Sequence, residues 1–463
     1  MAMRLQRLIS TVVAAAFLAA AMALPAFAAR IEVPASAEPL QAVIDRAAED
    51  DVVVLLRGNH QGPVEIGKKL TLDGEPGARI LGSGAGSVVV VKAENVIVRN
   101  LEISGSGRDL EAMDAGVFVT KTAHGSMVEN NDIVGNLYGV YLHGARDAVA
   151  RGNRITGIRE GRSNEAGNGI SVWNALGAKV IGNDIRFGRD GIYVVSSRHN
   201  LFEGNRFRDL RFAIHYMYTN DSEIRDNRSE SNAVGFAIMY SNRLTIAGNS
   251  SRGDRDHGLL LNYANGSEIS GNVVIGRLQS AERWKNAGRL AGAHAPAAAD
   301  QDAGPAQPAG GMRLGPQKCV FMYNANKNRF HGNRFEGCEI GIHFTAGSEG
   351  NAIFGNAFIA NQTQVKYVGT RNLDWSSDGR GNFWSDNPAF DLDGDGLADN
   401  PYRPNDLVDK VLWTAPRAKI LLTSPATQVI RWAQAQFPAV LPGGVVDSHP
   451  LMSSPVPAME VSQ

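Results

Sequence analysis

The sequence predicts an all-β chain folded as a right-handed parallel β-helix, on two observations. From Gly139 to Asn382 a small residue, four or five apolar or aromatic residues, a polar turn and Gly-Asn recur about every 22 residues. Short strands of fixed period with no helical stretch between them form a solenoid in which each repeat is one coil. The second observation is the spacing itself. Small residues open the runs at Gly139, Gly169, Gly191, Ala213, Gly235, Gly258, Cys319 and Gly341, in steps of 30, 22, 22, 22, 23, 61 and 22. Asparagines keep pace at Asn131, Asn153, Asn183, Asn205, Asn227, Asn249, Asn272, Asn333 and Asn356. An amide recurring at one turn position is expected to stack as a hydrogen-bonded ladder.

The elements follow in chain order. Residues 1–28 carry Arg4 and Arg7, an apolar run from Leu8 to Leu24 and Ala26-Phe27-Ala28, the pattern of a cleaved secretory signal. Arg4 and Arg7 are not adjacent, which argues against the twin-arginine route and places cofactor acquisition outside the cytoplasm. Removing this segment takes away two Arg and no acid, leaving 44 basic against 47 acidic residues. With no basic stripe, nucleic acid is excluded as a partner class. The solenoid is expected over 29–385, beginning with a cap helix at Leu40–Ala48 and apolar runs at Val52–Leu56, Leu70–Leu72, Val88–Val91 and Val96–Val98. The 30-residue step adds eight residues around Arg159–Ala166, and the 61-residue step an Ala/Gly/Pro-rich insert from about Leu278 to Pro316. Residues 386–463 form an acidic turn and a capping or docking tail, with a helix-like run at Thr427–Ala435. Cys319 and Cys338, 19 apart and three short of the period, do not stack in adjacent coils, and a bridge across a bent turn stays open.

Side chains alternate along a strand, so each coil separates a core set from an outer set. Val140/Leu142, Ile192/Val194, Ile214/Tyr216 and their equivalents are the core. The outer set includes Tyr141/His143, Ser171/Trp173, Tyr193/Val195, His215/Met217, Ala237/Met239, Phe321/Tyr323 and His343/Thr345. It contains no Asp, Glu, Lys or Arg, whereas an enzyme acting on an acidic polysaccharide needs converging acid and base groups. The best support for such an epimerase or lyase is Asp254-Arg255-Asp256-His257, which loosely resembles the catalytic segment of alginate epimerases. His215, Met217 and Met239 suit soft metal chemistry better, because imidazole and thioether select copper, above all Cu(I). The competing account is plain packing of Met and aromatic side chains under the insert or tail. His143, His257 and His343 are further copper candidates. Asp391, Asp393, Asp395 and Asp399, at alternate or nearby positions around Gly394, form a partial calcium-loop pattern that lacks its final Glu, Tyr402 standing there.

Several segments resemble the NosD family of periplasmic maturation proteins of nitrous oxide reductase. They include Arg189-Asp190-Gly191-Ile192-Tyr193, His215-Tyr216-Met217-Tyr218-Thr219, Met239-Tyr240-Ser241, Asp256-His257-Gly258 and Lys318-Cys319-Val320-Phe321-Met322-Tyr323-Asn324-Ala325. Gly341 to Glu349, Gln364 to Gly369 and Asp391 through Asn405 continue the likeness over nearly all of the exported chain. The resemblance implies a copper-handling accessory protein, not a catalyst. It implies work with an ABC transporter of cytoplasmic ATPase and membrane permease, the only route to the membrane, and a role in assembling the copper-sulfide centre of nitrous oxide reductase. It also implies a lipoprotein copper chaperone as donor. The insert is longer and blander than the family pattern.

Overall fold

The computed structural model describes residues 28–35, 38–160, 165–280, 312–405, 424–436 and 443–457, with the single residues 282, 408 and 411. The apolar start, most of the insert and parts of the tail therefore lie outside the described residues. The chain winds as a right-handed parallel β-helix of about 14 turns. Three parallel sheets of 13, 12 and 13 strands run along the stack, one strand of each per coil. Strands of two to six residues suffice because their backbone groups pair with the coils above and below.

The core is the set named from alternation. Val140, Leu142, Ile192, Val194, Ile214, Tyr216, Val320 and Met322 are all 0% exposed. A small residue opens each strand because the next coil approaches closely there. A Cβ on Gly191 would meet Phe207 Cδ1 at 2.4 Å and the Ala213 carbonyl oxygen at 2.5 Å. The asparagines form the expected ladder, extended by Asn382. In each rung the backbone N–H and Nδ2 donate to Oδ1 of the next Asn, as Asn205 does to Asn227 at 3.0 and 2.9 Å. Nδ2 also donates to a carbonyl of the preceding coil, Val180 at 2.8 Å for Asn205. An amide is required because the same side chain must accept and donate at once.

Both ends are closed. The cap helix spans Leu40–Arg46 and buries Leu40, Val43 and Ile44 over the first coil. Gln41 pairs with the free edge of strand Val64–Ile66, accepting Glu65 N–H at 2.8 Å and donating to its carbonyl at 3.1 Å, which blunts that edge. At the far end Val445–Val446 pairs with Leu373–Asp374, and Trp375 and Trp384 complete the core. The helix in the tail runs from Pro425 to Gln436. Two short antiparallel strands, Arg277–Gln279 and Arg313–Gly315, pair with each other at the two ends of the insert. Cys319 and Cys338 form a disulfide with a Cα separation of 5.7 Å, joining a strand to the turn before the next one. Among the described residues no helix is long and apolar enough to cross a membrane.

Candidate metal centre

Four neighbouring strands of the 12-stranded sheet build the site: Asp190–Val195, Phe212–Met217, Val234–Met239 and His257–Asn262. Ile214 and Tyr216 point into the core, so alternation turns His215 and Met217 outward. Register then sets their neighbours. His215 stands between Tyr193 and Ala237, and Met217 between Val195 and Met239. The two methionines are thus direct partners on strands about 4.8 Å apart, with His215 on the same face one alternate position away. Tyr193 bridges the group, its hydroxyl donating to Met217 Sδ at 3.9 Å and its ring lying 5.1 Å from that of His215.

His215 is only 8% exposed although it faces outward, and its Nδ1 lies 3.1 Å from Asp190 Oδ2. Arg211 grips the same carboxylate through Nε at 2.8 Å and Nη2 at 2.6 Å. Burial works to raise the Asp190 pKa, but the hydrogen bonds from His215 and Arg211 with the Arg211 charge outweigh it and hold the carboxyl below its ordinary value. His215 Nε2 is buried and has no hydrogen-bond partner. An imidazole with one nitrogen tied to a carboxylate and the other bare has the form of a metal ligand. The expectation of an outer face without charge is corrected here, since Asp190 opens its strand one position before the small residue Gly191, outside the two positions counted. Strict alternation from Ile192 would turn Asp190 to the core side, and only its contact with the outward-facing His215 sets it beside the metal candidates.

The weaker histidine candidates lie elsewhere on the sheet. His143 stacks on Trp173 at 4.5 Å, three strands from Met217, and burial together with the Lys121 charge lowers its pKa. His343 is four strands from His215 in the same column, separated by Ala237, Leu260 and Phe321. His257 and His343 pack on the Phe321 ring at 5.4 and 5.1 Å. Burial first, then the Lys318 charge, pushes them down to about 4 and about 3. Each keeps an Nδ1 without a partner, but neither joins the His215 group. The acid and histidine run at 254–257 does not converge on a groove. Asp254 is fully buried, accepting from Ser229, Ser251 and the Asn232 N–H, while Asp256 is paired with Arg255 at 2.7 Å.

In the tail, Asp391, Asp393 and Asp395 bring carboxylate oxygens within 4.8 Å of one another. Asp399 stands apart from that trio and accepts the Leu392 N–H at 3.0 Å.

One further feature escaped the sequence reading. Tyr218, Tyr240 and Tyr263 stack in a column, centroids 5.0 and 5.2 Å apart, and are 53%, 39% and 41% exposed. Two of them directly follow Met217 and Met239. All three sit in left-handed backbone, φ 48°, 51° and 52°, at a turn position held by Asn174, Ser196 and Asn324 in other coils. Asn and Ser tolerate that conformation more easily than tyrosine does. The Met-Tyr and Asn-Tyr pairs at this spacing were the available signal.

Comparison with known proteins finds relatives over most of the chain. The family described as periplasmic copper-binding protein (NosD) matches residues 152–389. A protein of Stutzerimonas stutzeri named "Probable ABC transporter binding protein NosD" is 40% identical over 398 residues, 86% of each chain. A protein of the same name from Pseudomonas aeruginosa is 39% identical over 421 residues, 91% of this chain and 92% of that one. Among solved structures the Dettilon tailspike protein aligns with a TM-score of 0.49 at 14% identity, covering 69% of this chain and 62% of its own. Matched over more than half its length and by relatives that span most of it, the chain belongs to the NosD family of periplasmic copper-binding proteins.

Proposed function

We propose that this chain takes up Cu(I) at His215, Met217 and Met239 and passes it on for maturation of the copper-sulfide centre of nitrous oxide reductase. The observation that carries the reading is the register pair Met217–Met239 beside an imidazole whose Nε2 has no partner. Two thioethers and a neutral imidazole are soft donors matched to Cu(I) and poor ones for calcium or magnesium. On the strand face the two methionines are half-buried beside the buried His215, and copper leaves by exchanging ligands one at a time with an acceptor. The lipoprotein copper chaperone is the proposed donor. An ABC transporter of permease and ATPase is the proposed partner, ATP hydrolysis changing how the tail docks and how far the site is exposed. The family description as periplasmic supports export by a signal cleaved after residue 28. Asp391, Asp393 and Asp395 are proposed to hold a structural calcium ion that fixes the tail turn.

Anaerobic titration of the exported chain with Cu(I) against a chromogenic chelator tests the site. The Met217→Ala/Met239→Ala variant should lose most of the affinity, and copper uptake equal to that of the unaltered chain would remove these residues as ligands.

A further inference from the structure

We propose that Asp190 is a positioning residue for the copper site: clamped by Arg211, it fixes His215 in the tautomer that leaves the Nε2 lone pair free for the metal. This rests on the reading of His215 as a copper ligand, and it assigns to Asp190, Arg211 and Phe212 a part that the donor set alone does not show.

The assignment follows from a count of protons. Arg211 donates to both carboxylate oxygens, 2.8 Å to Oδ1 and 2.6 Å to Oδ2, so neither oxygen has a role for a proton of its own. Oδ2 also lies 3.1 Å from His215 Nδ1, and a carboxylate can only accept. Nδ1 therefore carries the hydrogen and donates it. A neutral imidazole has one N–H, so Nε2 is left as a bare lone pair. A second proton on Nε2 would bury an N–H without an acceptor, since no polar atom is paired with it. Copper arriving at Nε2 has no proton to displace.

The ring is also held in place from the sides. Phe212 meets it edge-on at 4.8 Å and 76°, and the Arg211 guanidinium caps Phe212 at 4.5 Å. Arg211, Phe212, His215 and Asp190 thus close a loop in which Arg211 touches both the carboxylate and the aromatic wall. With its two oxygens engaged and its residue 1% exposed, Asp190 is excluded as a ligand itself and acts through His215.

The test uses Asp190→Asn. Arg211 keeps the amide oxygen, so the amide NH2 turns toward Nδ1, which becomes an acceptor, and the hydrogen moves to Nε2. Long-range nitrogen–proton NMR of the copper-free chain should show His215 protonated on Nδ1 in the unaltered protein and on Nε2 in the variant. Competition against a Cu(I) chelator should show an affinity loss of about 10- to 100-fold for Asp190→Asn, with a larger loss for His215→Ala. Finding His215 protonated on Nε2 in the unaltered, copper-free chain overturns the proposal, whether or not the variant folds. So does a variant that binds copper as tightly as the unaltered chain while His215→Ala weakens binding. If His215→Ala itself leaves the affinity unchanged, the ligand reading fails and this inference falls with it.

Discussion

Asp447 Oδ2 accepts the backbone N–H of Asn382 at 2.7 Å and ends the asparagine ladder. Each amide before it both accepts and donates, but the last rung needs only an acceptor, and a carboxylate supplies one. The same oxygen takes Trp384 Nε1–H at 2.8 Å, so the end of the ladder and the terminal core residue share one anchor.

A break in the ladder should therefore be costly. Asn227→Ala removes the acceptor of the Asn205 N–H and leaves that group buried. A destabilisation of about 2 to 3 kcal/mol is expected in denaturant unfolding, the size associated with orphaned buried polar groups. Asn59→Ala, on an exposed position, should change little. Equal effects from the two would mean the ladder is ornamental.

The ladder, the core set and the outer stripe were legible in the sequence because each depends on a period of 2 or of about 22, and periods survive in one dimension. Chain ends and departures from period were less so. The remaining two strands of each early coil, such as Gly58–Gln61, lack long apolar runs. The Cys319–Cys338 bridge was left open because 19 residues fit no whole coil, and it forms through the turn. Asp190 escaped because it was counted as lying before the strand, and its meaning depends on Arg211, 21 residues on. Pairing of that kind appears only when coils are laid on one another.

Acid should destabilise the chain through its buried imidazoles. His257 and His343, held down to about 4 and about 3 by burial, stay neutral in the fold, whereas in the unfolded chain they titrate near 6.5. Between those limits the unfolded state binds more protons, so stability falls as pH drops below about 6.5. Asp254, raised to about 7 by burial, has the opposite sign and gains stability over the same descent. Unfolding midpoints at about pH 7 and about pH 4.5 separate the two: His343→Gln should flatten the acid loss and Asp254→Asn should steepen it. An unchanged difference in the His343 variant would show that this imidazole is already charged in the fold.

Calcium should act at the tail turn alone. With Asp391, Asp393 and Asp395 converging, the ion at 100-fold over its dissociation constant would add about 2.7 kcal/mol to the unit it binds. Asp393→Asn should abolish the rise in melting temperature and leave Cu(I) uptake as it was. A chain whose melting does not respond to calcium has an acidic turn and nothing more.

X-ray absorption at the copper edge, on the exported chain loaded anaerobically with one Cu(I), reads the ligand set itself. Two sulfurs and one imidazole nitrogen are expected around the copper, with the nitrogen lost in His215→Ala and the sulfurs in Met217→Ala/Met239→Ala. A shell without sulfur, or one that neither variant alters, would contradict this ligand set.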